Sequence, residues 1–246
     1  LALVRPHVKW AARVTRVRDL QPAISRALAE ARAGVPGPVF VECPVDLLYP
    51  EAAVRELYFA GQRAPKSLQE RALRWYLERH LSKVFGAAGR EPAPATAPQS
   101  PAPRDHDLGT LKGRIASAQR PMLVVGSQAL GPGTDPAALA AAVGALGVPV
   151  FLSGMARGLL GASHPLQFRH QRKQALKGAD FVVLAGAPSD FRLDYGRQVS
   201  QQATLVGINL DRRDLTKNRR PTVAVRSAPD EFLIRLASAG TETRAR

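Results

Sequence analysis

Cysteine is nearly absent from this chain of 246 residues; Cys43 stands alone. A single thiol excludes an internal disulfide and any thiolate metal cluster. Aromatic side chains make up only 6% of the residues, so a core must be built mainly from Ala, Val and Leu. Acidic residues are also scarce, 20 against 35 Lys and Arg, which leaves a formal charge of +15. No uninterrupted apolar run reaches the roughly 18 residues that a bilayer-crossing helix needs. The opening LALVRPHVKWAARV is broken by charge too early for a signal peptide. It begins with Leu1 rather than Met, so a piece of a longer protein is expected, with any targeting information outside it.

What is present is an ordinary globular composition, 45% hydrophobic, with enough length for one large domain or one domain plus pieces. The basic balance asks for an anionic partner: nucleic acid, an anionic membrane or a phosphorylated ligand. Arg supplies 28 of the cations, but they are spread through the chain alongside frequent Ala, Gly and Pro. A nucleic-acid groove wants Arg gathered together and alternating with aromatics, so no nucleic-acid partner is expected.

Three regions and a tail separate by pattern. In residues 1–50, Asp19 is placed to cap a helix with Pro22 in its first turn. Leu20, Ile24, Ala27, Leu28 and Ala31 recur at helical spacing, Gly34 ends the run, and Val39 to Val41 reads as a short strand closed by Pro44. One helix and one strand cannot bury themselves, so this reads as the end of a larger α/β domain. Residues 51–107 read as a connector, with a helix over 68–84 and then the Pro- and Ala-rich spacer GAAGREPAPATAPQSPAPRD. Residues 108–240 alternate helices and strands. Strands are expected at Met122–Val125, Val148–Leu152, Phe181–Ala185, Thr204–Leu210 and Thr222–Val225. Helices are expected at Leu108–Ala118, from Asp135-Pro136 through Leu146 with Thr134 as N-cap, at Arg169–Lys177, at Arg192–Gln201 and at Pro229–Leu236. That alternation predicts an α/β fold with a doubly wound parallel sheet. Residues 241–246 are a tail.

Four loops follow strand ends: Gly126-Ser127-Gln128, Gly154 to Gly158 with Met155, Gly186-Ala187-Pro188-Ser189-Asp190, and Asn209 to Asp211. Loops at strand carboxyl ends face one edge of the sheet, so all four are expected to line one crevice, with glycines admitting a ligand to the backbone. Asp211 is a candidate acceptor for ribose hydroxyls. None of the loops is a GxGxxG fingerprint or a P-loop. His164 and His170 lack the carboxylates of a metal site, and Ser153 and Ser189 lack a nucleophile elbow. Asp180 reads as a cap on the preceding turn. Glu42 is a polar residue at a strand end. No acid–base pair emerges, so no catalytic residue is assigned to the chain.

Read in order, the pieces resemble thiamine-diphosphate-dependent enzymes of the acetolactate synthase group. GVPGPVFVECPVD is similar to the GxPGPVxxExPxD that closes the pyrimidine-binding domain of these enzymes. RPMLVVGSQAL resembles the start of their central domain. GVPVFLSGMARGLLGASHP is similar to PVxxxxxxKGLLPxxHP. RKQALKGADFVVLAGAPSDFRLDYGR resembles the RxxALxxADVVLxxGARxNxxxxFG of 2-hydroxyacyl-CoA and oxalyl-CoA lyases, and INLDRRDLTKNRRP resembles IDIDxxExxxNxxP.

The resemblance implies a three-domain enzyme in which thiamine diphosphate with Mg²⁺ is the electron sink for breaking a carbon–carbon bond. It implies an acyl-CoA-type substrate, cleaved to formyl-CoA and a shortened aldehyde as in fatty acid α-oxidation, a homo-oligomer, and an endoplasmic-reticulum membrane location. The activating glutamate of the first domain and the GDG…N motif of the third are expected outside this chain, leaving it inactive alone. The central domain of the group binds FAD or ADP, or nothing. Carried over by position, Gly126, Met155, Arg172, Gly186, Ala187, Asp190, Asn209 and Asp211 are the cofactor-binding candidates, with Arg172 near the nucleotide phosphates. Two departures weaken the inherited site: Pro188 stands where the group has Arg, and Asn209 replaces the first acid. An acetolactate-synthase-type carboligase, a nucleotide-binding module without catalysis and a basic interaction protein are the alternatives.

Overall fold

The computed structural model describes residues 1–60, 67–86 and 101–239. The chain divides into two compact units, Leu1–Ala97 and Pro98–Arg246.

The first unit contains β1 (Trp10–Arg13), α1 (Leu20–Arg32), β2 (Val39–Glu42), α2 (Glu51–Phe59) and α3 (Leu68–Phe85). Neither β1 nor α2 is foreseen by the sequence pattern. β1 and β2 run parallel, with Trp10 opposite Val39 and Arg13 opposite Glu42, and α1 is the crossover between them. The Arg13 guanidinium meets the Glu42 carboxylate at 2.5 Å and holds its pKa below the usual carboxylate range. Asp19 does not cap α1; its backbone is already helical and its side chain makes no cap bond. Of the expected apolar face of α1 only Ala27 is buried, whereas Ile24 and Leu28 are exposed. α3 opens with a capping box: Ser67 Oγ accepts from the Glu70 N–H at 3.1 Å, and Glu70 Oε2 accepts from the Ser67 N–H at 3.3 Å.

The second unit runs α4 (Asp105–Ser117), β3 (Pro121–Val125), α5 (Pro136–Ala145), β4 (Val150–Leu152), β5 (Gln167–Phe168), α6 (Arg172–Gly178), β6 (Phe181–Ala185), β7 (Thr204–Ile208), α7 (Arg212–Thr216), β8 (Val223–Val225) and α8 (Pro229–Ser238). Its sheet has the order β5-β4-β3-β6-β7-β8 and every pairing is parallel. The doubly wound α/β expectation holds. The central strands are apolar on both faces. In β6, Phe181, Val183 and Ala185 enter one core with Leu139, Phe232 and Leu233, while Val182 and Leu184 enter the other with Leu176 and Leu193.

The expected connector is divided between the units. Its described part over 51–60 and 67–86 belongs to the first. Residues 101–107 belong to the second, where Ser227 Oγ donates to the Pro101 carbonyl and Arg235 to the Pro103 carbonyl and the Asp105 carboxylate. The spacer over 87–100 and the tail over 241–246 lie outside the described residues.

Several local expectations are corrected. The cap of α5 is Asp135, whose Oδ1 accepts from the Ala137 and Ala138 N–H groups; Thr134 Oγ1 donates instead to Asp230 at 2.6 Å. α6 starts at Arg172 rather than Arg169 because Gln171 is left-handed, with φ +59, and the chain before it pairs as β5. The helix expected over 192–201 is a tight turn from Phe191 to Gly196, broken by positive φ at Asp194 and Tyr195. The Asp180 side chain reaches past the preceding turn. Its carboxylate accepts from the Gln119 and Arg120 N–H groups at 2.8 and 2.9 Å, fixing the α4–β3 corner to the start of β6.

Candidate functional site

In the second unit the chain leaves β3 toward one edge of the sheet and β6 toward the other. The carboxyl ends of these two strands therefore part and open a crevice. Its walls include Gly126, Ser127, Gln128, Ser153, Gly186, Ala187, Pro188 and Asn209, with Arg172, Asp190, Arg192 and Asp214 at its rim, around a volume of ≈ 180 Å³.

The glycines of the crevice serve the loops before any ligand. A Cβ on Gly126 would lie 2.3 Å from the Gly186 carbonyl oxygen, so the two central loops pack backbone to backbone. Gly154 is left-handed, with φ +59, and a Cβ there would fall 2.1 Å from Ser127 Oγ. That hydroxyl accepts from the Met155 N–H at 3.2 Å. The missing side chain of Gly126 thus makes room for Gly186, while Gly126 itself still lines the crevice.

Six of the eight candidates, Gly126, Arg172, Gly186, Ala187, Asp190 and Asn209, come together at the crevice. Two do not line it. The Met155 side chain is exposed, and Asp211 caps α7, its Oδ1 accepting from the Arg213 N–H at 2.8 Å. Asn209 is buried, and its Oδ1 accepts from the Asp211 N–H at 2.8 Å. Gln128 crosses from the β3 loop, where its Oε1 accepts from the Leu210 N–H at 2.7 Å. Sequence reasoning placed Gln128 in a candidate loop but not this strap. Its partner lies 82 positions away, so no local signal reveals it.

Charge gathers at one end. Asp190 accepts from the Arg192 N–H at 2.9 Å and from its guanidinium at 2.5 Å. That pair holds the Asp190 pKa below its ordinary value and raises that of Arg192. Arg172 is different. Its guanidinium donates to the Arg192 carbonyl, while its Nε is buried without a hydrogen-bond partner. Burial pushes its pKa down, the charges of Arg157 and Arg192 add to that, and Asp190 opposes them. A cation held against desolvation and like charge is a site that gains from an anion.

Arg172 and Ser153 also line a neighbouring groove of ≈ 840 Å³ at the β4–β5 edge, with Arg157, Arg169, Lys173 and Phe168. Phe168 is half exposed and lies against Phe151, with ring centroids 6.2 Å apart. The crevice alone is below the roughly 300–1,000 Å³ of small-molecule sites. Crevice and groove meet at Arg172, and together they offer a cationic junction beside an aromatic wall.

Residues 109–236 match the family described as thiamine pyrophosphate enzyme, central domain. The chain is 44% identical over 245 residues to 2-hydroxyacyl-CoA lyase 2 of Caenorhabditis elegans, covering 97% of this chain and 38% of that protein. It is 42% identical over 244 residues to 2-hydroxyacyl-CoA lyase 2 of Homo sapiens, covering 96% and 38%. An acetolactate synthase large subunit of Mycobacterium tuberculosis is 36% identical over 117 residues, covering 48% of this chain and 21% of that protein. Among solved structures, a putative thiamin diphosphate-dependent enzyme from Mycobacterium smegmatis superposes with a TM-score of 0.59 at 22% identity, covering 96% of this chain and 40% of that one. The chain thus spans about 38% of the length of the lyases it matches. It belongs to the thiamine pyrophosphate enzymes, and residues 109–236 are a central domain of that family.

Proposed function

We propose that the chain is the middle portion of a thiamine-diphosphate-dependent carbon–carbon lyase acting on 2-hydroxyacyl-CoA. The reaction breaks the C1–C2 bond, and R–CH(OH)–CO–SCoA becomes the aldehyde R–CHO and formyl-CoA. One observation carries the reading. The likeness to the lyases extends through both units at 42–44% identity, whereas the acetolactate synthase is similar over only 117 residues. The GDG motif that would hold thiamine diphosphate with Mg²⁺ does not occur in this sequence, so no catalytic step is assigned to its residues. On this reading those groups belong to the part of the relatives' length that this chain does not span. Assembly as a homo-oligomer and an endoplasmic-reticulum location belong to the same proposal; size-exclusion chromatography and cell fractionation of the longer protein test them.

The role of this chain's own residues is to bind an adenosine diphosphate group, as ADP or as part of FAD. Arg172, which lines both the crevice and the groove, would receive the phosphates with its guanidinium. Arg157 and Lys173 add charge from the groove, and Phe168 offers a ring face there. Pro188, Gln128 and Asn209 line the crevice, whose ≈ 180 Å³ is below what a nucleotide fills, whereas the groove at β4 and β5 holds ≈ 840 Å³. The nucleotide is therefore expected to lean toward β4 and β5.

Two experiments separate the parts of the proposal. The longer protein should cleave a 2-hydroxyacyl-CoA only when thiamine diphosphate is supplied; condensation of two pyruvates in its place would identify a carboligase. Separately, ADP or FAD should raise the melting temperature of this chain, and Arg172→Leu should remove that rise. No shift with either ligand at millimolar concentration would end the nucleotide reading and leave the lyase reading standing.

A further inference from the structure

A diphosphate held at Arg172 leaves the other cations of the β4–β5 groove without a counter-charge. Arg157, Arg169, Arg172 and Lys173 line this groove, and no carboxylate does. None of these cations forms an ion pair among the described residues. Arg169 donates to the Gly161 and Ala162 carbonyls at 3.3 and 3.1 Å, and Arg172 to the Arg192 carbonyl. Carbonyls take up these hydrogens but do not cancel the charge. The acids nearby are engaged elsewhere. Asp190 pairs with Arg192 at 2.5 Å, Asp214 with Lys217 at 3.7 Å, and Asp211 caps α7.

We propose that the groove takes an adenosine diphosphate with a further phosphate on its ribose, the nucleotide end of coenzyme A or of NADP. The inference rests on the nucleotide reading and replaces plain ADP or FAD as its ligand. In doubly wound nucleotide sites a carboxylate accepts from the free ribose hydroxyls, and an arginine stands nearby where the ribose is phosphorylated. The groove has the second composition: cations along its length and no acid to receive a hydroxyl. Phe168 is half exposed and offers its ring to the base, with Phe151 behind it. With the diphosphate at Arg172, the exposed Arg157 and Lys173 are left to meet the ribose phosphate. As a monoester that phosphate adds about 1.5–2 negative charges at pH 7. Arg157 also lies close enough to disfavour the charged form of Arg172, a repulsion that an anion between them relieves.

The test titrates the 246-residue chain in a calorimeter with ligand pairs that differ by one ribose phosphate, CoA against dephospho-CoA and NADP against NAD. In at least one pair the phosphorylated member should bind about tenfold tighter. Which pair shows it tells the 3′-phosphate of coenzyme A from the 2′-phosphate of NADP. Arg157→Gln with Lys173→Gln should abolish the preference with an unchanged circular dichroism spectrum, and either single change should reduce it. Equal binding within both pairs, with ADP still bound, overturns the proposal and leaves the nucleotide reading standing. A preference that survives the double variant, or that ATP matches over ADP, means unplaced charge attraction and also overturns it. If neither ADP, FAD nor any of the paired ligands binds, the nucleotide reading and the proposal fall together.

Discussion

The two units share one construction, parallel strands joined by helices, yet they differ in what that construction hides. In the second unit a six-stranded sheet is covered on both faces and closes two cores around β3, β6 and β7. Among the described residues of the first unit the buried apolar side chains are Val14, Ala27, Leu81 and Phe85, while Ile24, Leu28, Val45, Leu48, Leu57, Leu68 and Trp75 remain exposed. Amphipathic helices do not make a core by themselves; the sheet must be wide enough to receive them. The second unit therefore has cores of its own, whereas the described apolar faces of the first are left exposed.

Truncating core side chains probes that contrast most strongly. Phe232 is fully buried in α8, and Phe232→Ala should cost about 3–5 kcal/mol in urea unfolding. Leu28→Ala, on the exposed face of α1, should stay within about 0.5 kcal/mol. Equal losses at the two positions would erase the difference between the units. A smaller effect is expected where the central loops touch. Gly126→Ala forces a methyl against the Gly186 carbonyl and should cost about 1–3 kcal/mol, read as a lower melting temperature. If it is neutral, the backbone contact between those loops is not tight.

In the first unit, Ser67→Ala removes one half of the α3 capping box and should cost about 1 kcal/mol. Because most of α3 is exposed, the loss should appear as faster amide exchange in its first turn while the second unit is unaffected. The smallest effect is a pH dependence. The Gln119 and Arg120 N–H bonds hold the Asp180 carboxyl below its ordinary value. A carboxyl depressed in the folded state adds stability above its unfolded value of about 3.9, and that stability is lost as pH falls through the lower folded value. Asp180→Asn should flatten that part of the acid limb. An unchanged limb would show that the α4–β3 corner does not depend on the charge.

Legibility followed the range of the forces involved. β6 appears at its expected bounds because five apolar residues between Asp180 and Gly186 can only be a buried strand or a buried helical turn, and the length selects the strand. α3 was legible from its spacing over 68–84 and from the Pro- and Ala-rich stretch that follows. β1 was not: Trp10–Arg13 has no alternation of its own and becomes a strand by pairing with β2. The helix expected after Phe191 fails for a related reason. Arg219 donates to the Gly196, Val199 and Ser200 carbonyls, and this long-range anchor holds the segment as a turn. At the candidate site the loops and most of their residues were readable from strand ends. The displacement of Asp211 to a helix cap was not, since it depends on α7, which the sequence pattern does not announce.

The sequence by itself determined the parallel α/β sheet of the second unit, five of its six strands and the resemblance to thiamine-dependent enzymes. Those features rest on runs of apolar side chains and on turn residues, and both act over a few positions. Only the tertiary structure decided that Gly126 makes room for Gly186, that Gln128 straps the crevice to Leu210, and that Arg172 keeps an unpartnered Nε. It also decided which face of α3 is left outward. Each of these depends on a close approach between segments distant in sequence. Excluded volume and buried hydrogen bonds act only once the chain has brought such segments together.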